Sequence, residues 1–524
     1  MEEQRTKLVD EFIKKTNVDE QIKKFKESPK GKDLVVSDVT DDDNQQYVNL
    51  VQQGGGVWGV SLIGYVYVLE QMGIRFFSLA GTSAGAINAM AMAAIKEKND
   101  EKSIHILDLF LKLDLKSFID GKKGDNSFNR WEKKLISTFI KFPFYGTFLL
   151  NFTQWMTFLI LFFSIGSWLS LVFFAFRDGK MLHYPSLFLW TMAIFLLTIT
   201  YYRLKKIATV GFGLNSGDAF YDWIKNDVLA ANGIHNLEDL KNHFSKLTPK
   251  LKLNKKALLR NEYKIEVKAI NNDADTKAMI NLDNEEEKAP VNPKLAIITS
   301  DITTNNKIEF PRMWKLYYPD LKSANPADFV RASMSIPVFF ETFKLKVNPL
   351  KPDLWNQYLN WEYQAPTPTH PNTINPLPEH VNFVDGGSLS NFPINIFYNQ
   401  NQPIPRMPTF GVRLVEKKDS KINSFKGIMD YISNVINTMK LSSDKDFINK
   451  NRSYDLGIGY VQLGTKLSWL NFYMGDLEKQ ELFKKGAVAA INFLEGFDWD
   501  EYKKVRESNF IDNQNEIQNN PNNW

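Results

Sequence analysis

Apolar runs alternate with glycine loops and helical segments from residue 47 onward. The apolar segment VNLVQQ leads into a glycine loop and then into the helical segment SLIGYVYVLEQMG. A second apolar run, 76–80, ends at Gly81 and is followed directly by a helix of small residues, 84–95. Strands that alternate with helices predict a largely parallel sheet covered by helices. The expected fold class is therefore α/β, with three layers around a mostly parallel central sheet.

The longest apolar stretch interrupts this pattern at residues 142–206. No charged residue occurs from 142 to 176, and 155–176 is long enough to span a hydrocarbon core of ~30 Å. A polar link, 177–180, precedes a second uncharged run, 181–202. Aromatic rings near the ends of both runs are typical of a membrane interface. The pattern predicts a two-helix transmembrane hairpin, and a pair of buried core helices is the alternative.

The two ends of the chain differ from this middle part. Residues 1–45 carry charges every few positions, with Leu8, Phe12 and Ile13 spaced along one side of a predicted helix. This pattern is typical of a solvated or partner-facing arm and not of a secretory signal, so the chain is expected to begin in the cytoplasm. The polar segment 508–524 is predicted to be a disordered tail.

Composition and charge exclude several classes of function. The 524 residues include 64 basic and 60 acidic side chains, a formal net charge of +4, so no strong overall field attracts nucleic acid. Cysteine is absent. Disulfides, thiolate metal sites and a cysteine nucleophile are therefore excluded together.

The segment Gly81-Thr82-Ser83-Ala84-Gly85 matches the pattern G-x-S-x-G. It lies between an apolar strand and a helix of small residues, where a tight turn exposes a serine hydroxyl as a nucleophile. Gly81 and Gly85 would let backbone and helix pass close to a residue held in a strained conformation. The alternative is an ordinary glycine-rich turn between strand and helix.

The glycine loop from Gly54 to Gly59 allows two interpretations. It matches G-x-G-x-x-G after a strand and before a helix, which is the dinucleotide fingerprint. However, no acidic residue ends a second strand about twenty residues further on, as that fingerprint requires. The second interpretation is an oxyanion hole, in which Gly54, Gly55, Gly56 and Gly59 leave backbone N–H groups free. A nucleophilic serine nearby favours the oxyanion hole.

A serine nucleophile needs a base. Asp385 follows the apolar strand 381–384, and Gly386 and Gly387 clear space beside it. Among the histidines, His380 is an alternative candidate for the base, in a Ser-His pair, because it precedes the same strand. The other five stand in helical, irregular or membrane-flanking segments and are more typical of structural or solvated positions: His105, His183, His235, His243 and His370.

Taken together, these segments resemble the patatin-like phospholipase family. The segment VNLVQQGGGVWGVSLIGYVYVLEQMGI is similar to the family's opening strand, oxyanion loop and first helix, and LAGTSAGAINAMAMA to its nucleophile elbow. FVRASMSIPVFFE is similar to the R-A-S-x-S-I-P stretch, and FVDGGSLSNFPIN to the strand and turn that carry the catalytic aspartate. The resemblance covers about residues 47–393, in family order.

The resemblance implies an activity and its residues. It implies a serine lipid acyl hydrolase, of the phospholipase A, lysophospholipase or lipase type, with Ser83 as nucleophile and Asp385 as base. The backbone of Gly54, Gly55 and Gly56 would form the oxyanion hole, and neither histidine, metal nor cofactor is required. The segment 331–337 and Asp301 would be structural supports.

One departure from the family pattern is Trp58, because the family often has Arg or Lys there. A lost positive charge puts a preference for phospholipids over neutral esters in doubt. Two other functions stay open: a catalytically inactive membrane scaffold, and a nucleotide-binding module that uses the glycine loop. The expected partners are a membrane lipid substrate and the bilayer, without nucleic acid.

Ser83 precedes the apolar hairpin and Asp385 follows it, yet both must meet in one site on the same side of the membrane. An even number of spans must therefore separate them. Basic residues flank the pair on both outer sides, which places both ends in the cytoplasm. The sequence therefore predicts a multi-pass bacterial inner-membrane protein with two spans. The expected domains are a helical arm (1–45), a first catalytic part (46–141), the hairpin (142–206), a second catalytic part (207–507) and the tail (508–524).

Overall fold

The computed structural model describes residues 6–120, a few helical residues between 162 and 195, and residues 211–246, 251–253, 293–364, 375–398, 405–415, 447–449, 451–464 and 469–519. In this part the helices are α1 (Lys7–Thr16), α2 (Val18–Glu27), α3 (Pro29–Lys32), α4 (Gly59–Gln71), α5 (Ala84–Ala94), α6 (Ser103–Lys112), α7 (Asp218–Trp223), α8 (Leu237–Phe244), α9 (Pro326–Ser333), α10 (Asp353–Leu359), α11 (Arg452–Leu456), α12 (Asp476–Gly496) and α13 (Trp499–Asn519).

Ten strands of the described residues form one sheet. They are β1 (Val39–Thr40), β2 (Gln46–Gln52), β3 (Ile74–Thr82), β5 (Lys252–Leu253), β6 (Leu295–Asp301), β7 (Asn306–Phe310), β9 (Phe343–Lys346), β10 (His380–Asp385), β11 (Thr409–Val415) and β12 (Ile458–Gln462). β4 (Gly213–Asn215) and β8 (Val338–Phe340) pair separately.

The centre of the sheet is parallel, as predicted. Its order is β12-β11-β2-β3-β6-β10-β9, and the five strands from β12 to β6 all run parallel to their neighbours. β10 pairs antiparallel with both β6 and β9, and β1, β5 and β7 add further antiparallel pairings. The α/β class with a mostly parallel central sheet is confirmed, and the sheet is mixed.

Successive residues of the central strands enter different cores. Leu50 of β2 and Leu79 of β3 lie in the large core that also contains α4, α5 and α12. Their neighbours Val51 and Ala80 lie in a smaller core with Phe392 and other residues of the segments after β10. Because side chains alternate across a strand, these two cores cover opposite faces of the sheet. Burial on both faces explains why the central strands are apolar almost throughout.

The end of β3 meets the end of β10 along one edge of β6. β7 pairs with residues 297–301 and thereby occupies the other edge of β6. On the shared edge, β3 pairs in parallel with residues 295–298, and β10 pairs antiparallel with residues 299–301. Thr82 therefore stands opposite Ile298, and Asp385 opposite Thr299. The two strands point at each other, so the residues that follow each one are brought together.

The N-terminal helices pack against the domain. Phe12 of α1 is buried and meets Phe483 of α12 edge-on, at 5.5 Å between ring centroids. Ile13 is buried as well, whereas Leu8 is 45% exposed. The segment predicted as a solvated arm is therefore a layer on α12. At the other end, α13 runs to Asn519, so a helix stands where the sequence predicts the start of a disordered tail.

The predicted membrane localisation is contradicted. Within the described residues, no helix combines the length and the apolar character needed to cross a bilayer. The two long helices, α12 and α13, carry several charged side chains each, which hydrocarbon does not solvate. The predicted hairpin, 142–206, lies almost entirely outside the described residues.

Candidate active site

Ser83 forms a strained turn between β3 and α5. Its backbone angles are φ 54° and ψ −119°, a region in which glycine is ordinarily found. A Cβ on Gly81 would lie 2.2 Å from the backbone oxygen of Gly85, and a Cβ on Gly85 would lie 2.2 Å from that of Gln52. Only glycine allows this approach of strand and helix. The turn predicted from G-x-S-x-G is present, with Ser83 at the N-terminus of α5.

A network of hydrogen bonds fixes the backbone of Ser83. Its N–H donates to Ser333 Oγ at 2.9 Å, and that hydroxyl donates to the carbonyl of Ile298 at 2.6 Å. The preceding residue, Thr82, donates from its hydroxyl to Ser390 O at 3.0 Å. The turn is thereby tied both to β6 and to the segment after β10. The Ser83 N–H is engaged and does not donate into the cleft.

The segment 331–337 acts as a support, as the resemblance implied. Arg331 is buried and donates to Ser335 Oγ at 2.7 Å and to the carbonyls of Ser216 and Glu341. Burial lowers the pKa of Arg331 to about 10, and nearby Asp120 opposes this shift. The backbone oxygen of Ser335 in turn accepts the N–H of Asp385.

Asp385 is held at the end of β10 by its own backbone and by the following glycines. Its N–H donates to Ser335 O at 2.8 Å, and its Oδ1 accepts the N–H of Gly387 at 2.7 Å. A Cβ on Gly386 would lie 2.1 Å from the backbone oxygen of Ile298. The glycines therefore let the turn press against β6, and the carboxylate, 8% exposed, reaches the cleft beside Ser83.

The glycine loop offers fewer free donors than the sequence suggested. The N–H of Gly54 donates to Asn391 O at 3.1 Å, and that of Val57 to Trp469 O at 2.9 Å. Within the described residues, the N–H groups of Gly55 and Gly56 donate no backbone hydrogen bond. Gly59 begins α4 instead and packs against Ala84. Gly55 and Gly56 are therefore the pair left to face a ligand.

Ser83, Asp385 and the glycine loop line one cleft. Trp58 and Trp469 stand on its walls, and Asp385 is the single ionisable side chain among its described lining residues. Asn391 joins the cleft to the loop, because its amide also donates to Gly54 O at 3.3 Å. The roles of Asn391, Trp469 and Met334, which accepts the Ser83 hydroxyl at its sulfur at 3.1 Å, were not anticipated from the sequence.

The same segments match a known family. A family profile described as "Patatin-like phospholipase" matches residues 50–152 and 163–398, more than half of the chain. The chain belongs to the patatin-like phospholipase family. Members of this family are typically serine acyl hydrolases, and lipids are their general class of substrate.

The individual relatives share little sequence identity with this chain. The "Uncharacterized protein YqhO" of Bacillus subtilis (strain 168) is 25% identical over 449 residues, which cover 86% of this chain and 98% of that protein. VipD from Legionella pneumophila is a similar solved structure, with 13% identity, a TM-score of 0.33 and coverage of 90% of this chain and 72% of that one. The ExoU-SpcU complex of Pseudomonas aeruginosa matches at 12% identity and a TM-score of 0.26. The match covers 90% of this chain and 60% of that one.

The described histidines of this patatin-like chain lie away from the cleft. His380 begins β10 and is five residues from Asp385, which amounts to roughly 17 Å along an extended strand. It is exposed and lies 3.6 Å from Glu379. His243 bonds to Lys96 O, and His105 lies on α6, with its pKa lowered by burial. His183 and His370 lie outside the described residues.

Nucleotide binding finds little support at the glycine loop. A pyrophosphate cradle uses several successive backbone N–H groups, and two of those in this loop already donate to Asn391 and Trp469. In the described portion of this patatin-like chain, moreover, no cluster of three or more acidic or histidine side chains could hold a metal ion.

Proposed function

We propose that this protein is a lipid acyl hydrolase in which Ser83 is the nucleophile and Asp385 is the general base. One observation carries the proposal: β3 and β10 end head to head on one edge of β6, and each delivers its reactive side chain to the same cleft. Family membership supports the reaction class. The strained turn at Ser83 supports its role, because such turns expose a serine hydroxyl at the N-terminus of a helix.

In the proposed reaction, Ser83 Oγ leaves its contact with Met334 and attacks the acyl carbonyl carbon while Asp385 takes the hydroxyl proton. The N–H groups of Gly55 and Gly56 stabilise the negative charge on the carbonyl oxygen, assisted by the N-terminal dipole of α5. The alcohol departs with the proton from Asp385. Water then attacks the acyl-enzyme while Asp385 takes a proton from it, and the acid is released as Asp385 returns that proton to Ser83 Oγ.

The lining of the cleft supports an uncharged head group. Trp58 stands at the position where the family often carries a cation, and no Lys or Arg occurs among the described lining residues. A phosphate would therefore lose water without gaining a charged partner, which is unfavourable in a partly dry site. We propose that neutral acyl esters are hydrolysed in preference to anionic phospholipids.

Two serines of the cleft allow a sharp test. Ser83 is buried in the turn, whereas Ser388 is exposed and has no helix N-terminus behind it. A fluorophosphonate probe should modify Ser83 alone, as read by peptide mass spectrometry, and Ser388→Ala should still be labelled. Ser83→Ala and Asp385→Asn should each reduce hydrolysis of p-nitrophenyl butyrate about a thousandfold or more. Labelling at Ser388, or turnover by Ser83→Ala, would refute the assignment. Absence of both labelling and turnover in the unmutated chain would instead favour the inactive scaffold.

A further inference from the structure

A second cavity lies beside the cleft among α4, α5 and α6. Apolar side chains from all three helices and from the segment that follows them line it, among them Val60, Ile63, Ile87, Ala91, Leu109 and Phe118. Asn88 is the one polar side chain of the described lining, and its amide nitrogen donates to Gln52. No ionisable side chain is among these residues, so the cavity suits hydrocarbon and not a polar head group.

This cavity adjoins the turn that carries the candidate nucleophile. Gly56 lines both the cleft and the cavity, and Ala84, the residue after Ser83, lines the cavity wall. Met334 also lines the cavity, and its sulfur accepts the Ser83 hydroxyl. A methionine side chain is unbranched and flexible, so it can change rotamer more readily than a branched side chain.

We propose that this cavity binds the acyl chain of the substrate and that Met334 forms its mouth. The inference rests on the proposed function, since it places the ester carbonyl at Ser83. A chain attached to that carbonyl has two directions available. The cleft side holds Asp385, Ser388 and Asn391 and suits the alcohol portion, whereas the cavity side is apolar apart from Asn88.

The length of the cavity sets the length of chain that it holds. Ala84, Ile87, Asn88 and Ala91 form one face of α5 along the cavity. Seven residues separate the first from the last, which at 1.5 Å per residue is roughly 10 Å. An extended alkyl chain advances roughly 1.25 Å per carbon, given C–C bonds of about 1.5 Å. The cavity therefore accepts about eight carbons beyond the carbonyl.

A series of p-nitrophenyl esters from two to sixteen acyl carbons tests this inference on the full chain. The value of kcat/KM should rise roughly two- to fourfold per added methylene up to about nine or ten carbons, and then level off or fall. Ala91→Phe should lower the ratio of kcat/KM for the ten-carbon ester to that for the four-carbon ester by tenfold or more. Ile63→Ala enlarges the cavity and should move the maximum to longer chains.

Val66→Ala is the matched control for Ile63→Ala. Val66 lies on the same helix, is fully buried and does not line the cavity, so this change should leave the ratio within about twofold of the unmutated chain. Should Ala91→Phe fail to fold, the shift in Ile63→Ala decides the matter. An unchanged chain-length profile in the folded cavity variants would overturn the inference.

Binding of 1-octanol to the Ser83→Ala chain, measured by calorimetry, separates this inference from the proposed function. Addition of Ala91→Phe should weaken that binding tenfold or more. If no ester is hydrolysed and octanol binding still depends on Ala91, the proposed function fails and the cavity assignment stands. If esters are hydrolysed and neither the ratio nor octanol binding responds to Ala91→Phe, the cavity assignment fails and the proposed function stands.

Discussion

Replacement of Ser83 by glycine should give a more stable protein than replacement by alanine. Both changes remove the hydroxyl and its contact with the sulfur of Met334, so they differ only in the Cβ atom. The backbone at this position, with φ 54° and ψ −119°, is unfavourable for any residue that carries a Cβ. Because Ser83 lines an open cleft, loss of the Cβ leaves no closed void.

The size of the difference follows from two opposing effects. A residue other than glycine in such a sparsely populated backbone region raises the free energy of the folded state by about 1–3 kcal/mol. Glycine has greater freedom in the unfolded chain, which disfavours folding by roughly 0.5–1 kcal/mol relative to alanine. The net advantage of Ser83→Gly over Ser83→Ala is therefore about 1 kcal/mol.

Thermal melts followed by intrinsic tryptophan fluorescence measure this difference, since the chain holds 12 tryptophans. For a chain of this size, about 1 kcal/mol corresponds to roughly 1 °C in Tm. Ser83→Gly should therefore melt about 1 °C above Ser83→Ala, and neither variant is expected to hydrolyse esters. Equal melting temperatures, or a lower one for the glycine variant, would show that the turn stores no strain and that the argument from its backbone angles is wrong.

Three further predictions concern a close contact, a buried lysine and a histidine. Gly85→Ala should lower the free energy of unfolding by about 2 kcal/mol or more in urea melts, because its Cβ would lie 2.2 Å from Gln52 O. Gly496→Ala is the control: its Cβ would have no atom within 4 Å, so the free energy of unfolding should stay unchanged or rise slightly. Burial lowers the pKa of Lys102 from 10.5 to about 8, so its contribution to stability is present above pH 10.5 and is lost as pH falls through 8. The unmutated chain should therefore gain about 1 kcal/mol relative to Lys102→Met between pH 7 and 9, and a constant difference would contradict this. His380→Gln should keep kcat within about twofold, and a collapse of kcat at unchanged Tm would indicate a Ser-His mechanism.

Local patterns allowed the two candidate catalytic residues and the parallel centre of the sheet to be predicted. Gly81 and Gly85 predict the turn at Ser83 because the pattern G-x-S-x-G lies within five consecutive residues. Whether an N–H group of the glycine loop already donates a hydrogen bond depends on residues that are distant in the sequence. Asn391 lies 337 residues beyond Gly54, and no local pattern relates the two.

Strand direction was also beyond reach of the sequence. A short apolar strand, such as 381–384 before Asp385, has the same pattern whether its neighbours run parallel or antiparallel. The antiparallel pairing of β10 with β6 is what turns Asp385 toward Ser83. The membrane prediction was wrong, since no helix of the described residues combines the length and the apolar character needed to cross a bilayer. The segment on which it rested, 142–206, lies almost entirely outside those residues.

The head-to-head junction of β3 and β10 joins two residues that the ribosome makes at very different times. Ser83 and Asp385 are 302 positions apart in the sequence. At synthesis rates of roughly 5–20 residues per second, the ribosome needs about 15–60 s to pass from one to the other. During that interval the nascent chain contains Ser83 without Asp385. On the proposed mechanism, ester hydrolysis therefore cannot begin before Asp385 has been synthesised.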